Sequence, residues 1–386
     1  MKVGIFVDSY KPLVSGVVHT VDLQRQGLEA LGHEVHIFAP ASGGYRDVEP
    51  RVYRFWAINL STKVGAPFAF PYSPRLFALI PRLGLDVIHT QHPFPVGRLG
   101  AYFARRLDLP SVYTFHTQYE QYAHYVPLSR RIVQAAARHL VVSHAERCDV
   151  ITCPAPSARE ILVEYGVRRP IKMLPNGIDL RAFETAQPDD ARARLGIGPQ
   201  ERVILYCGRL AKEKNLTFML HALRDLLLRD AGARLLMVGE GTETEALMDL
   251  AKGLGLGDRV LFAGEVDYAQ VPQYYAASDL FVMTSVTEVR PLALLEAMAS
   301  GLPVVAVSAH GMTDTVTSGG DGLLTRHDAA EFSSAVQRLV ADDGLRREMG
   351  RRARQTAQTY SIAQTTRRLV EIYEETRDRR RAEQVG

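Results

Sequence analysis

Short runs of apolar residues alternate with helical apolar stripes along most of the chain. In the first half, Val3–Val7, Val112–Phe115 and Val150–Cys153 have the length of buried strands, and helical patterns lie between such runs. The alternation starts again with Val203–Tyr206 and Leu280–Met283. Strands that alternate with helices predict a parallel, doubly wound α/β sheet. Because the pattern occurs twice, we expect two Rossmann-like domains that face each other across a cleft.

A polar stretch interrupts this alternation near the middle of the chain. We interpret the segment 182–200 as a linker, because it is rich in polar residues and contains Pro188. We therefore place one domain at residues 1–182 and a second at 183–361. The helical pattern at 362–386 is expected to pack back onto the first domain. The length of 386 residues suits two domains.

Composition and charge narrow the class of protein. A hydrophobic content of 46% and a charged content of 23% are ordinary for a globular chain. The net charge of +3 is too small to indicate a nucleic-acid partner. Cys148, Cys153 and Cys207 form neither a disulfide framework nor a zinc spacing, which favours a reducing compartment.

Membrane insertion is not expected from the apolar runs. None approaches the ~18 residues that a spanning helix needs. Asp8 and Lys11 interrupt the first apolar run, so it is interpreted as a strand and not as a signal peptide. Any contact with a membrane is therefore expected to be peripheral.

Two acids lie close to the start of a predicted helix. Glu288 precedes that helix and Glu296 lies inside it, while Pro291 is placed in its first turn and Gly301 ends it. Carboxylates accept hydrogen bonds from sugar or ribose hydroxyls. For an isolated pair, one acid placed for the helix dipole and one solvated acid are the simpler explanation. The neighbouring candidate sites favour a binding role.

Basic residues follow a strand of the second half. Arg209 and Lys214 flank a predicted helix that has Asn215 as its N-cap. Open α/β sheets bind ligands at this edge, and a helix N-terminus with two cations suits a diphosphate. Two exposed basic residues beside a helix start explain the pattern equally well. The turn at Gly239 and Glu240 allows a nucleotide to approach the backbone, although a plain turn is as good an explanation.

Together these segments resemble the retaining glycosyltransferases of family 4, which have the GT-B fold. The resemblance covers essentially the whole chain and rests on SGV at Ser15–Val17, PNGID at Pro175–Asp179, GRLAKEKN at Gly208–Asn215, VGEG at Val238–Gly241 and LLEAMASGLPVV at Leu294–Val305. The last block with its upstream Glu288 is highly specific, whereas the glycine turns alone are weak signals. Val289 and Arg290 stand where family members commonly have glycine and an aromatic residue or glutamine, and Arg290 is a candidate for an additional contact.

The resemblance implies roles for these residues. Arg209 and Lys214 hold the diphosphate of the donor, Glu296 binds the ribose hydroxyls, and Glu288 contacts the transferred sugar. Gly16, which opens the first helix, allows close approach of an anion or a sugar, although a strand–helix turn explains it nearly as well. No Asp-x-Asp sequence occurs, so neither a metal site nor a cofactor is expected beside the donor substrate.

A narrower resemblance lies in the first domain. The segments His89–Gly97 and Tyr113–Tyr125 are similar to bacterial enzymes that glycosylate diacylglycerol. By this resemblance His116 lies close to the reacting anomeric centre, where a neutral imidazole accepts or donates a hydrogen bond. A histidine without a chemical role is the alternative. The candidate residues on the acceptor side are Glu120, Tyr119 and His124.

The segment 127–147 has an amphipathic pattern. One predicted face holds Arg130, Arg131, Gln134 and Arg138, and the other holds Ile132, Val133, Ala136, Ala137 and Leu140. Such a helix suits an anionic leaflet, where each basic residue contributes on the order of 1 kcal/mol. An ordinary domain helix with a solvated basic face explains the pattern as well.

The resemblance therefore implies a retaining hexosyltransferase that moves a hexose, with glucose favoured, from a UDP-sugar to diacylglycerol. We expect it in the cytoplasm, peripherally attached to the inner face of the cell membrane. The first alternative keeps the fold and changes the acceptor, as in a phosphatidylinositol mannosyltransferase or an enzyme with a soluble sugar acceptor. A nucleotide-sugar epimerase and a non-catalytic binder are the more distant alternatives.

Overall fold

The computed structural model describes most of the chain. The described ranges are 1–58, 68–121 and 129–385. His124, one of the candidates on the acceptor side, lies outside them. The chain divides into two compact units. Unit 1 comprises Met1–Gly177 with Ile362–Gly386, and unit 2 comprises Ile178–Ser361.

Unit 1 is a parallel sheet covered by helices. Its strands are Lys2–Phe6 (β1), Glu34–Pro40 (β2), Val52–Phe55 (β3), Ala57–Ile58 (β4), Phe68–Ala69 (β5), Val87–Thr90 (β6), Ser111–Thr114 (β7), Val150–Cys153 (β8) and Ile171–Met173 (β9). Its first helices are Gly16–Ala30 (α1), Pro74–Leu79 (α2), Pro95–Arg106 (α3), Arg130–Ala145 (α4) and Pro156–Glu164 (α5). Within the described residues the sheet order is β3-β2-β1-β6-β7-β8-β9, and β4 pairs separately with β5.

The strand order of unit 1 reverses between β1 and β6. From β1 the chain builds outward through β2 and β3, and it then continues on the other side of β1 with β6. Neighbouring strands on both sides pair in parallel. In an open α/β sheet, a ligand binds beside the carboxyl ends of the strands at such a reversal. Residues that follow β1 and β6 are therefore the ones placed to form a site.

Unit 2 repeats this architecture. Its helices are Leu180–Glu184 (α6), Asp189–Arg194 (α7), Leu216–Arg229 (α8), Thr244–Gly253 (α9), Val271–Ala276 (α10), Leu292–Ala299 (α11), His310–Thr313 (α12), Ala329–Ala341 (α13) and Asp343–Ala357 (α14). Its strands are Arg202–Cys207 (β10), Ala233–Val238 (β11), Val260–Gly264 (β12), Leu280–Met283 (β13), Val304–Val307 (β14) and Gly322–Thr325 (β15). The order is β12-β11-β10-β13-β14-β15, with the reversal between β10 and β13. The prediction of two doubly wound α/β sheets is confirmed.

The final helix, Ile362–Val385 (α15), belongs to unit 1 and packs against α1. Leu369, Ile372 and Tyr373 are buried in the same apolar cluster as β1 and β2. The Tyr373 hydroxyl hydrogen-bonds His89 Nδ1 at 2.7 Å. The last helix of the chain is thus joined to the centre of the first sheet by apolar packing and by one buried polar contact.

The interpretation of 182–200 as a linker was wrong. This segment contains part of α6 and all of α7, and Phe183 and Ile197 are buried in the core of unit 2. Arg192 donates to the carbonyl oxygen of Ala277 at 2.8 Å. The apolar residues are sparse because only one side of each short helix contacts the core. The boundary between the units lies after residue 177, which is earlier than the 182/183 division that we inferred from this polarity.

A buried carboxylate joins β1 to α3 at the edge where the strand order reverses. The Asp8 oxygens accept from the backbone N–H groups of Val96 at 2.8 Å and Gly97 at 3.0 Å. Phe94, the N-cap of α3, makes no side-chain capping bond, so Asp8 satisfies the first turn from another element. A Cβ at Gly97 would lie 1.8 Å from the His92 carbonyl oxygen, which explains the glycine at this turn. Burial raises the pKa of Asp8 to about 7, although the two N–H donors favour the charged form.

This raised pKa predicts a specific dependence of stability on pH. The pKa of an aspartate in an unfolded chain is about 3.9. Between roughly pH 4 and pH 7 the folded chain therefore binds the Asp8 proton more tightly than the unfolded chain does. Raising the pH through this window therefore lowers the free energy of unfolding by up to about 1.4 kcal/mol per pH unit. We expect the difference in stability between wild type and Asp8→Asn to show this slope and to become constant above about pH 8.

The measurement is urea unfolding followed by the fluorescence of Trp56, which is the single tryptophan of the chain and lies in unit 1. All other titrating groups are shared by the two proteins and cancel in the difference. Parallel stability curves between pH 5 and pH 7 would show that the Asp8 carboxyl is already charged in the folded chain.

Candidate active site

Two hydroxyl groups hold the loop that follows β10 in unit 2. The loop includes the 3₁₀ turn Lys212–Lys214. Thr284 Oγ1, directly after β13, donates to the carbonyl oxygen of Lys214 at 2.9 Å. Ser285 Oγ donates to the carbonyl oxygen of Glu213 at 3.1 Å. The ends of the two strands that flank the reversal are thereby fixed to each other. The sequence pattern did not identify these hydroxyls, because Thr and Ser after a strand are common in turns.

Lys214 and Glu288 form an ion pair in unit 2. The Lys214 ammonium donates to Glu288 Oε1, and the exposed fractions of the two side chains are 17% and 16%. We predicted these residues for different parts of one donor molecule, and the structure brings them together at the β10–β13 edge. The pair therefore places one cation and one carboxylate side by side at this edge.

Arg209 lies at the same edge and is oriented by a buried acid. Its Nη2 donates to Glu213 Oε1 at 2.6 Å. The Glu213 side chain is 2% exposed, whereas that of Arg209 is 44% exposed. A guanidinium carries five N–H donors, so this contact fixes its direction and leaves donors for an anion. The sequence showed the cation and missed the acid that orients it.

One of the two predicted helix starts is confirmed and the other was wrong. Asn215 is the N-cap of α8, in a left-handed conformation with φ 56° and without a side-chain capping bond. Its side-chain amide instead contacts His327 Nε2 at 2.7 Å. Pro291 is the N-cap of α11 and not a residue of its first turn. The next residue back, Arg290, is buried, and its guanidinium lies over the ring of Tyr360 at 5.0 Å.

Glu296 lies in α11 and is 4% exposed. The hydroxyls of Tyr268 and Tyr275 donate to its two oxygens at 2.8 Å and 3.0 Å. Burial raises the pKa of Glu296, and the two hydrogen bonds oppose this shift. The carboxylate is therefore aligned by two phenols that the sequence pattern did not identify. Their distant positions in the sequence gave no signal before the fold placed α10 and the 3₁₀ turn Tyr268–Gln270 beside α11.

Packing requires glycine at two positions of the predicted glycine turns but not at Gly16. Gly239 has φ +124°, and a Cβ there would lie 2.2 Å from the Gly208 carbonyl oxygen. A Cβ at Gly241 would lie 2.2 Å from the carbonyl oxygen of Leu210. These glycines let two loops of unit 2 pack backbone against backbone, while the neighbouring Glu240 is exposed. A Cβ at Gly16 would meet no atom within 4 Å, so packing does not require glycine there.

His116 follows β7 at the carboxyl edge of unit 1. Its Nε2 lies 2.6 Å from Gln91 Oε1. Desolvation lowers the pKa of His116 well below its ordinary value, and neighbouring His92 and His89 add to this effect. The imidazole is therefore neutral at physiological pH. A neutral ring has one N–H donor and one acceptor nitrogen, so it can either donate a hydrogen bond to a hydroxyl or accept one from it.

Glu120 is buried and has two partners. The Tyr165 hydroxyl donates to Glu120 Oε2, and Arg138 Nε lies 3.4 Å from the same oxygen. The Arg138 guanidinium also lies 5.3 Å from the centre of the Tyr165 ring. Burial raises the pKa of Glu120, and Arg138 opposes the shift. Tyr119 packs edge-on against Phe94 at 5.0 Å.

The arginines of the predicted basic face of α4, Arg130, Arg131 and Arg138, are exposed, but the exposed surface also includes part of the predicted apolar face. Ile132, at 65%, and Ala136 are exposed as well. The predicted apolar face was therefore wrong for these two residues. The buried side of the helix is formed by Val141, His144 and Ala145 near its C-terminal end. His144 continues the row of Val133, Ala137 and Leu140 at helical spacing, whereas Ile132 and Ala136 lie beside this row and remain exposed.

The described residues contain neither a membrane-spanning helix nor a cluster of metal ligands. No helix within the described ranges combines the length and the apolar character needed to cross a bilayer. No cluster of three or more His, Cys, Asp or Glu side chains among the described residues is arranged to hold a metal ion.

Comparisons with known proteins identify the family and the fold. The profile described as Glycosyltransferase Family 4 matches residues 14–182, and that described as Glycosyl transferases group 1 matches residues 188–356. An alpha-monoglucosyldiacylglycerol synthase from Streptococcus pneumoniae is 33% identical over 79% of this chain and 71% of the relative. A GDP-mannose-dependent alpha-mannosyltransferase from Mycolicibacterium smegmatis is 30% identical over 94% of each chain. The structure of Anabaena HepE in complex with UDP-glucose has a TM-score of 0.78 and 20% identity, over 97% of this chain and 100% of that chain.

The glycine contacts generate a paired prediction. We expect Gly239→Ala to lower the free energy of unfolding by more than about 2 kcal/mol, because it adds a backbone clash to an unfavourable φ. We expect Gly16→Ala to change stability by no more than about 0.5 kcal/mol, because open space surrounds the position. Urea unfolding monitored by circular dichroism measures both. Equal losses of unfolding free energy in the two variants would contradict the inference that packing requires glycine at 239 but not at 16.

Proposed function

The chain belongs to glycosyltransferase family 4, and from this premise we propose that it transfers a hexose from a UDP-sugar to the hydroxyl of diacylglycerol with retention of anomeric configuration. The favoured hexose is glucose. The observation that carries the donor half of this proposal is the arrangement of Arg209, Lys214 and Glu288 at the strand reversal of unit 2. The lipid acceptor is supported by the similarity to the synthase from Streptococcus pneumoniae.

The cations of unit 2 suit the leaving group of this reaction. When the bond between the sugar and the nucleoside diphosphate breaks, negative charge develops on the diphosphate. Arg209 and Lys214 supply fixed positive charge for it, and the two hydroxyls after β13 hold the backbone carbonyls of Glu213 and Lys214 in place. Oriented charge that needs no rearrangement during the reaction is an effective form of catalysis.

The acids of unit 2 suit the sugar and the ribose. Glu288 is paired with Lys214. In this proposal the Lys214 ammonium contacts the diphosphate and also positions the Glu288 carboxylate, which contacts the sugar hydroxyls. Glu296 is fixed by the two tyrosines, which leaves further carboxylate lone pairs for the ribose hydroxyls. Each acid therefore has a defined direction before a ligand binds, which lowers the entropic cost of binding.

In unit 1, His116 is the residue proposed to contact the reacting sugar. Its neutral ring forms hydrogen bonds with a hydroxyl and does not repel the positive charge that develops on the sugar ring. Glu120, with its raised pKa, is the candidate for the acceptor side. No enzymic nucleophile is assigned, since the proposed route uses the donor phosphate to assist the acceptor hydroxyl on one face.

The arginines of α3 and α4 support attachment to an anionic leaflet. The two helices contain no acidic residue, and they carry Arg98, Arg105, Arg106, Arg130, Arg131 and Arg138. Tyr102 and Ile132 are exposed near these cations, at 47% and 65%. A surface cavity of about 400 Å³ is lined by Ala101, Tyr102, Arg105, Arg106 and Arg147. Cations with exposed apolar side chains are typical of peripheral membrane contact.

A product assay tests the proposed function. Purified protein is given UDP-glucose, UDP-galactose or GDP-mannose, each with diacylglycerol in anionic vesicles, and the lipids are analysed by mass spectrometry. We expect hexosyl-diacylglycerol from UDP-glucose. Consumption of a donor without any hexosyl lipid would contradict the lipid acceptor.

A second candidate function has a specific observation in its favour. The alignment with the mannosyltransferase from Mycolicibacterium smegmatis covers 94% of both chains, more than the alignment with the synthase covers. If the chain transfers mannose, product forms from GDP-mannose and not from the UDP-sugars. The same panel of donors distinguishes the two functions.

Removal of one cation tests the diphosphate site. We expect Lys214→Ala to lower the rate about ten- to a hundredfold, because it removes a charge-assisted contact that strengthens in the transition state. Lys212→Ala is the matched control, since Lys212 is exposed in the same turn. An unchanged rate in Lys214→Ala, or an equal loss in Lys212→Ala, would contradict the assignment.

Removal of two arginines tests the membrane surface. We expect Arg130→Ala with Arg131→Ala to weaken binding to anionic vesicles roughly 10- to 30-fold, because each cation contributes on the order of 1 kcal/mol. Vesicle sedimentation measures this. The control is Arg229→Ala with Lys252→Ala, which removes the same charge from exposed positions of unit 2. Equal weakening in both double variants would indicate an effect of net charge alone.

A further inference from the structure

Gln91 is a fully buried polar residue at the strand reversal of unit 1. It follows β6 directly and has no exposed surface. Its backbone N–H donates to the Phe6 carbonyl oxygen at 2.9 Å, which fixes its main chain to the end of β1. A buried amide is costly unless it is hydrogen-bonded. The side-chain partners of Gln91 therefore define what it does.

The two ends of the Gln91 amide have different partners. Its Oε1 lies 2.6 Å from His116 Nε2, and its Nε2 donates to Gln24 Oε1 at 3.3 Å. Gln24 belongs to α1 and is also buried. Turning the Gln91 amide over would place its oxygen against the Gln24 oxygen. With the Gln24 amide in its observed orientation, this contact directs the Gln91 oxygen toward the histidine.

This orientation determines where the His116 proton lies. A carbonyl oxygen only accepts, so His116 Nε2 has to carry the proton that is shared with Gln91. The neutral ring has a single N–H. The other ring nitrogen, Nδ1, is therefore unprotonated and acts as an acceptor. Without a partner at Nε2, both neutral tautomers are accessible to the ring.

We propose that Gln91, oriented by Gln24, is a positioning residue that holds His116 in the tautomer protonated at Nε2, so that Nδ1 accepts a hydrogen bond from a substrate hydroxyl. This inference rests on the proposed function, in which His116 contacts the reacting sugar. It adds the direction of that hydrogen bond: the histidine accepts and the substrate donates. It also gives the glutamine of the segment His89–Gly97 a role in the reaction.

The direct test is the tautomer itself. Protein labelled with ¹⁵N-histidine is examined by long-range ¹H–¹⁵N correlation NMR, and the His116 signals are identified by their loss in His116→Gln. We expect the pattern of an Nε2–H imidazole in wild type and its loss or mixing in Gln91→Leu. A wild-type ring protonated at Nδ1 would overturn the proposal.

The kinetic test separates positioning from a purely structural role. In Gln91→Leu we expect kcat to fall at least about tenfold while KM for the donor stays within about twofold, because the lost hydrogen bond acts on the reacting group. The control is Gln26→Leu, which alters an exposed glutamine of α1 that bonds Asp22. An unchanged kcat in Gln91→Leu would overturn the proposal even if the tautomer changed.

A second variant keeps the test decisive if Gln91→Leu does not fold. Gln91→Glu retains an acceptor toward Nε2 and adds a negative charge, which favours the imidazolium form. We expect the acidic limb of its pH–rate profile to move to higher pH, while the tautomer of the neutral ring remains Nε2–H. A profile identical to that of wild type would overturn the proposal. Trp56 fluorescence checks the fold of unit 1 in each variant.

Failure of this inference is distinct from failure of the proposed function. If wild type forms no hexosyl lipid from any donor, the proposed function fails, and the role of Gln91 toward a substrate fails with it. If wild type is active but the ring is protonated at Nδ1, only the inference fails. The NMR experiment needs no substrate, so it gives its answer in both situations.

Discussion

In a parallel sheet every strand delivers its carboxyl end to the same edge, and both candidate sites depend on this constraint. Where the strand order reverses, the loops that follow two neighbouring strands leave in different directions and their first residues remain exposed to a ligand. In unit 2 this brings Lys214 to Glu288, although 74 positions separate them in the chain. In unit 1 the shared edge brings Gln91, which follows β6, to His116, which follows the adjacent strand β7. Neither pair results from local sequence.

A second common feature is that each candidate residue has a partner that sets its direction. Glu213 orients Arg209, two tyrosines hold Glu296, and Gln91 contacts His116. These partners are held by the packing around them, and they fix the direction of the functional groups before a substrate binds. In the proposed reaction, where positioning and charge stabilisation supply most of the rate, this is the contribution that the protein can make.

Much of this was predictable from the sequence, for definable reasons. The strands Val150–Cys153 and Leu280–Met283 have the predicted bounds, because buried strands are continuous apolar runs. The helices of 182–200 were missed because only a few of their residues are apolar. The strands β3 and β15 were not predicted. Both lie at sheet edges, where fewer residues are buried and the apolar run in the sequence is therefore weaker. The candidate residues themselves were identified from motifs, but Tyr268, Tyr275, Thr284 and Gln91 were not, since a side chain that supports another carries no motif of its own.

The measurement that tests the central claim most directly is the ¹H NMR spectrum of the product formed from UDP-α-glucose and diacylglycerol. The coupling constant of the anomeric proton reports the configuration of the new bond. We predict a small coupling, as in an α-glucoside, on a sugar linked to the glycerol hydroxyl, since the account describes transfer with retention to a lipid. A large coupling, as in a β-glucoside, would contradict retention, and free glucose as the sole product would contradict transfer to the lipid.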